Sequence, residues 1–232
     1  MDGNGRWAKS RGLSRIEGHR AGAASVRSVV EEARRMGIQY LTLFSFSLEN
    51  WGRPQDEVSG LMELFVQHLE SERDGLLKNG IRLTAVGDLE RLPERVRNLL
   101  SRGIGETADN SSMTLVLALS YGSRQEIAHA AQRLSEKVQR GEMTPDQITP
   151  ESFAGELWTA GIPDPDLLIR TSGEMRISNF LLFQLAYAEL VVVDDLWPDF
   201  DGQKFHECVD EYLRRERRFG LTTEQLEMSG RP

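Results

Sequence analysis

Cysteine is almost missing from the 232 residues, since Cys208 stands alone. That excludes an intrachain disulfide and any multi-cysteine metal site, and it suits a reducing compartment. No run approaches the roughly 20 apolar residues of a membrane-spanning helix, and no secretory leader precedes the first motif. The expected protein is soluble and cytoplasmic. Excess positive charge is lacking too: 28 Lys and Arg against 36 Asp and Glu leave a formal charge of -8. Bulk nucleic-acid binding is therefore disfavoured, and an anionic ligand must be held by locally placed arginines against the overall field. Neither GxxxxGKS/T nor GxGxxG follows a strand, which removes the usual nucleotide-phosphate signatures. No internal repeat, linker or low-complexity stretch is present, only a polar tail after Gly220.

What is present centres on Pro165 to Phe200, PDLLIRTSGEMRISNFLLFQLAYAELVVVDDLWPDF. An apolar run, Leu167 to Ile169, delivers Arg170 into a Thr-Ser-Gly turn, with Arg176 and Ser178 just beyond. Two guanidiniums with hydroxyls at Thr171, Ser172 and Ser178 can fork onto several oxygens of one phosphate group, which a point-like ammonium cannot do. Diphosphate is the ligand this pattern suits. The plainer alternative is that both arginines pair with Glu174 or a helix end.

A second candidate anion site opens the chain. Asp2-Gly3-Asn4-Gly5 is dense in residues that tolerate positive φ or bond their own backbone, so a tight loop with convergent amides is expected. Arg6, Lys9, Arg11 and Arg15 add charge beside it.

Between the two sites the periodicity predicts helices over 17–37, 58–79, 93–109, 123–140 and 203–218, a short helix near Pro150 capped by Thr149, and a helix over 179–187. Strands are predicted at 40–46, 81–86, 113–119, 167–170 and 189–193. Alternation of this kind points to an α/β fold: one domain with a mainly parallel central sheet surrounded by helices. The polar and aromatic loop Ser47 to Pro54 leaves a strand end, where open α/β sheets bind ligands. Val58, Leu61, Met62, Phe65 and Leu69 form a stripe that reads either as plain core or as the wall of an apolar channel.

The conjunction of MDGNGRWA, GHRAG, LTLFSFSLENWGRP, LSYGSRQEI and LLIRTSGEMRISNFLLFQLAYAE followed by WPDF closely resembles the cis-prenyltransferases, in particular the bacterial undecaprenyl diphosphate synthases. The resemblance spans Met1 to about Gly220, which sets the expected catalytic domain at 1–220 and the tail at 221–232. It implies a cis-prenyltransferase fold whose first strand would precede the MDGN motif, outside this sequence. It also implies elongation of farnesyl diphosphate by successive isopentenyl diphosphates, with Mg²⁺ as cofactor, a homodimer, and transient contact with the inner membrane for product release.

By the same resemblance Asp2 holds the metal and is catalytic with Asn50, to which proton transfer is assigned. Gly3, Asn4, Gly5, Arg6, Trp7, Arg15 and His19 surround the allylic diphosphate. Phe46, Ser47, Glu49, Trp51 and Arg53 belong with Asn50 to a closing loop. Arg170, Arg176 and Ser178 bind isopentenyl diphosphate, and Glu189 is a carboxylate linked to the metal and to the second subunit. Each keeps a structural alternative: His19 as a helix-start histidine, Trp51 as a loop anchor, Glu49 as a helix-entry acid, Asp2 as a turn former. Phe183 stands where the family's FLLWQ has tryptophan.

Paired DDxxD segments, which trans-prenyltransferases use, are absent, because Asp194-Asp195 is followed by Asp199 one residue out of step. A non-catalytic partner subunit is the remaining rival, and the complete Asp2 to Trp7 loop disfavours it. Small Ser45 and apolar Met113, at positions that resemble tunnel wall and tunnel floor, imply a long product of about C55, which requires a dry pocket.

Overall fold

The computed structural model describes residues 1–216. The central unit is a parallel three-stranded sheet in the order β1 (Tyr40–Ser47), β3 (Met113–Tyr121), β2 (Ile81–Val86). Its middle strand is buried on both faces, which is why MTLVLALSY reads as a continuous apolar run. Met113, Leu115, Leu117 and Leu119 point into the larger core, and Val116 and Ala118 into a second one with Tyr121, Phe180, Leu181 and Leu185. That division is the period of two expected of a strand.

Helices alternate with the strands: α3 (Gln55–Lys78) and α4 (Glu94–Glu106) are the crossovers between them, α2 (Arg15–Arg35) precedes β1 and α5 (Ser123–Gln139) follows β3. Ser14 and Glu17 form a reciprocal capping box that starts α2 two residues before the expected Glu17. The short helix α6 (Pro150–Ala154) is capped by Thr149 as expected. The last helix, α7 (Gly202–Leu213), packs on α2; residues 217 and 218 of its expected span, and the tail, lie outside the described residues.

The α/β fold with a parallel central sheet is as expected; its hydrogen bonds fall in two parallel ladders, because β4 (Leu167–Arg170) pairs only with β5 (Glu189–Val192). Residues of β1 and β4 line one cavity but share no ladder. Two expectations change. The helix expected over 179–187 is a series of turns. Ser178, Asn179 and Leu181 all take positive φ, at 54°, 62° and 46°, a conformation that no right-handed helix can contain. Finally, the opening loop is short, since helix α1 (Asn4–Ser10) begins directly after Gly3.

Two features aim the strand ends at one place. In β1 the register slips around Ser45, a bulge that redirects Phe46 and Ser47 at the sheet margin. At the start of the chain, α1 lies so close to α2 that a Cβ on Gly18 would stand 2.1 Å from the Asn4 carbonyl oxygen. Overpacking of that kind costs about 1 to 3 kcal/mol. Gly18→Ala should therefore lower Tm by roughly 3 to 10 °C for a chain of this size, whereas Gly75→Ala, which meets nothing within 4 Å inside α3, should hold or raise it. Thermal unfolding followed by circular dichroism checks both, and equal small effects would contradict the close approach.

Candidate diphosphate site

Asp2 is fastened to the end of β4 through its backbone. Its N–H donates to Thr171 Oγ1 (2.9 Å), the same hydroxyl donates to the Asp2 carbonyl (2.9 Å), and Trp197 N–H donates to that carbonyl as well (2.9 Å). Gly3 follows at φ 104°, where a Cβ would meet Ser172 Oγ at 2.4 Å, so only glycine allows this approach. Residues 2 and 170 are thereby neighbours. Arg170 Nη2 donates to Asp2 Oδ2 (3.0 Å), and Gly3 N–H donates to Asp2 Oδ1 (2.7 Å).

From this pair a line of alternating charge runs outward. Arg6 lies 3.8 Å from Asp2 Oδ1 and 2.8 Å from Glu174 Oε1, and it also donates to the Ser172 carbonyl. Glu174 accepts in turn from Arg176. Arg170 reaches toward the same loop through the Arg176 carbonyl and Ser178 Oγ (3.0 Å). Burial, the largest single influence, raises the Asp2 pKa, but the Arg170 hydrogen bond, the Gly3 amide and the Arg170 and Arg6 charges outweigh it. The carboxyl is held below its ordinary value and is ionised. Arg176 does pair with Glu174, as the plainer alternative held, yet its side chain is 61% exposed and free to reorient.

The opposite wall is the turn after β1. Asn50 Oδ1 accepts from Ser47 N–H (3.1 Å), and Trp51 packs edge-on against Phe46 while its Nε1 donates to Ser120 Oγ (2.9 Å). Glu49 accepts from Asn179 Nδ2 (2.9 Å), and Asn179 Oδ1 accepts from Arg124 N–H (2.8 Å), which ties this turn to the Ser178 loop. Arg53 and Arg15 share Glu57 Oε1, at 3.0 and 3.5 Å. His19 stands beside them with its pKa lowered to about 4, chiefly by burial and then by the Arg53 charge. The imidazole is neutral at pH 7.

These walls meet in a cavity of about 1050 Å³. Asp2, Asn4, His19, Phe46, Ser47, Asn50, Arg53, Arg170, Arg176 and Ser178 line it, and Arg6 and Glu174 join through their ion pairs. The rest of the wall is apolar, including Val30, Leu43, Leu61, Met62, Phe65 and Leu69. Four members of the α3 stripe are thus both core and channel wall. Ser45 is on the cavity, but Met113 is not; it is sealed in the core at 2% exposure. Its place at the start of the doubly covered β3 is the physical reason.

Gly3, Gly5, Arg15, Glu49 and Trp51 neighbour these walls without lining the cavity, and two further residues lie elsewhere. Trp7 turns away, donating to Asp199 Oδ1 (2.8 Å) and stacking under Arg11. Glu189 pairs with Leu167 in the β4–β5 register, three residues and roughly 10 Å before the level of Arg170, and it binds Arg215 (2.9 Å). Among the described residues no cluster of three or more His, Cys, Asp or Glu side chains is placed to hold a metal. Sequence reasoning missed Ser120 and Asn179, which hold the two loops. The signal for Ser120 was a polar residue one position before the end of an apolar strand, and its φ there is 48°.

Arg170 at the end of β4, with Arg53 and Arg176 on neighbouring loops, faces a cavity whose remaining wall is apolar, an arrangement that suits an anionic head joined to an apolar chain. Comparison with known proteins agrees. Residues 1–220 match the family model described as putative undecaprenyl diphosphate synthase. An isoprenyl transferase of Porphyromonas gingivalis is 54% identical over 97% of this chain and 89% of its own length. The ditrans,polycis-undecaprenyl-diphosphate synthase ((2E,6E)-farnesyl-diphosphate specific) of Shewanella oneidensis is 50% identical over 98% and 82%. Among solved structures, lavandulyl diphosphate synthase from Lavandula x intermedia, in complex with dimethylallyl diphosphate, superposes with a TM-score of 0.92 at 36% identity, covering 95% of each chain. A probable undecaprenyl diphosphate synthase from Campylobacter jejuni gives 0.76 at 34% identity, over 86% of this chain and 92% of its own. The chain belongs to the undecaprenyl diphosphate synthase family of cis-prenyltransferases.

The neutral state of His19 has a consequence for stability. An unfolded chain protonates this imidazole near its ordinary 6.5 and the fold only near 4, so unfolded molecules bind the extra proton in between. Its contribution is full above about pH 6.5 and is lost as pH falls toward 4. His19→Gln should flatten the decline of Tm between pH 7 and 4 relative to the parent; parallel curves would contradict a buried neutral His19.

Proposed function

We propose that the protein condenses farnesyl diphosphate with successive isopentenyl diphosphates, in cis, to a polyprenyl diphosphate of about C55, a length the apolar cavity must accommodate in part before the tail leaves it. Such a product is the precursor of the lipid carrier of cell-wall synthesis. The observation that carries the reading is the adjacency of the Asp2–Arg170–Arg6 charges to one end of that cavity.

Two anionic heads need two groups of donors. Gly3 to Arg6, Arg15 and His19 take the allylic diphosphate, and Arg170, Arg176 and Ser178 take the isopentenyl one. As the allylic C–O bond breaks, its electron pair goes to the diphosphate, and the terminal double bond of the isopentenyl unit forms the new C–C bond. A proton then leaves that unit, and Asn50, held at the cavity wall by Ser47, is assigned a part in its removal. Arg6 and its neighbours stand where the leaving group's charge grows. The buried and unpartnered Nε of Arg170, a residue that lines the cavity, suits a site completed by a ligand.

Magnesium prefers few carboxylates together with phosphate oxygens and water. Asp2, half-exposed, ionised and set among cations, fits as such a ligand when a diphosphate supplies the others. Bound there, the metal would neutralise diphosphate charge. Glu189 belongs with a dimer: beside it on β5, Leu190 and Val192 are 48% and 41% exposed, a surface that favours burial against a second copy. The chain is assigned to the cytoplasm, with transient contact with the inner membrane at product release; no described helix is long and apolar enough to cross a membrane.

The test is incorporation of labelled isopentenyl diphosphate on a farnesyl diphosphate primer, with and without Mg²⁺, with product length read by chromatography. Asp2→Ala should reduce metal-dependent turnover at least about 100-fold; near-normal turnover would remove its role. Arg176→Ala should raise the apparent KM for isopentenyl diphosphate about 10- to 100-fold, the worth of a charge-assisted hydrogen bond, and leave that for the primer nearly unchanged. Equal effects on both would reject the division of the site.

A further inference from the structure

Glu174 holds an unusual place among the charges of the site. Its two oxygens are divided between arginines assigned to different substrates: Oε1 takes Arg6 at 2.8 Å, and Oε2 takes Arg176. The carboxylate is 21% exposed, while both of its partners are about half exposed or more, at 48% and 61%. The backbone before it is bent by two consecutive left-handed residues, Ser172 at φ 77° and Gly173 at φ 66°. Ser172 N–H donates to the Asp195 carbonyl and Gly173 N–H to the Val193 carbonyl, so the turn is anchored on the β5 side. Met175 next to it projects outward at 89% exposure. A side chain on so short and anchored a turn presents its two oxygens as one unit.

We propose that Glu174 is a resident anion that occupies the two diphosphate half-sites together and must be displaced by either substrate. The inference rests on the assignment of Arg6 and Arg176 to different diphosphates made above. Without ligand, three guanidiniums, those of Arg170, Arg6 and Arg176, converge on one loop. The carboxylates of Asp2 and Glu174 alternate with them along the line. Asp2 is locked by its backbone and by Arg170 and cannot leave. Glu174 is held on its far side only by its turn, and the guanidiniums it bridges are solvent-accessible, so it is the member that exchanges for phosphate oxygens. A diphosphate at either half-site competes with the same carboxylate. Glu174 thereby links the two half-sites, although neither substrate need touch the other's arginine.

The alternative role, an orienting clamp that fixes both arginines for substrate, has the opposite sign. Glu174→Gln keeps the size and the hydrogen-bonding reach but removes the charge, and Glu174→Ala removes the side chain. Calorimetric titrations without Mg²⁺, where no turnover occurs, would use farnesyl diphosphate alone, isopentenyl diphosphate alone, and inorganic diphosphate. A displaced anion requires E174Q and E174A each to bind both prenyl diphosphates tighter than the parent, by about three- to tenfold for competing exposed ion pairs. Unchanged or weaker binding overturns the proposal in favour of the clamp, and tightening for one prenyl diphosphate only overturns the bridge. Inorganic diphosphate separates this failure from that of the substrate assignment, because its response depends on the arginines alone. Tightening of inorganic diphosphate, with no binding of either prenyl diphosphate to any form, would retain the resident anion and reject the assignment.

Discussion

The contact on which the rest depends is the fastening of Asp2 to the end of β4. Thr171 gives and receives one hydrogen bond with the Asp2 backbone, Trp197 adds a third, and Gly3 allows the approach. Each such bond is worth only about 1 kcal/mol net, but together they fix a carboxylate against Arg170 across 168 positions of sequence. Without that closure the opening loop would carry its charges away from the arginines of β4. The short α1 continues the constraint, since its first residue is pressed against Gly18 and Gly22 of α2.

Electrostatics then follow from position. The chain is acidic as a whole, yet its site is a row in which every carboxylate lies between or beside guanidiniums. Such a row keeps Asp2 ionised despite burial and keeps its arginines from repelling one another before ligand arrives. His19 contributes in the other direction: burial and the neighbouring Arg53 hold it neutral, so it adds a hydrogen-bonding ring without adding charge. The apolar remainder of the cavity needs no such arrangement, because the same α2, β1 and α3 side chains that build the core also face the void.

Much of this was legible in the residues. The five strands and the main helices follow from period and turn chemistry, and Arg170 with Arg176 could be read as a fork because a strand ends there. What could not be read depends on long-range contacts. The 179–187 segment has helical composition, but Asn179 is needed by Glu49 and Arg124, and the backbone yields to those bonds by taking left-handed angles. Met113 has the character of a channel floor, yet the pairing of β3 between two strands puts it in the core. Glu174 was seen only as an ordinary ion-pair partner, because no pattern along the chain reveals that its second oxygen meets Arg6, 168 residues away.

The central claim is that one site holds two diphosphates, one on each side of the Asp2–Arg170 pair. A crystal structure of the protein with Mg²⁺, isopentenyl diphosphate and an unreactive sulfur-bridged analogue of farnesyl diphosphate measures this most directly. The account requires one diphosphate on Gly3 to Arg6, the other on Arg170, Arg176 and Ser178, and the farnesyl chain running between β1 and α3 toward Leu69. Both heads on the same arginines, or a hydrocarbon lying outside the cavity, would contradict it.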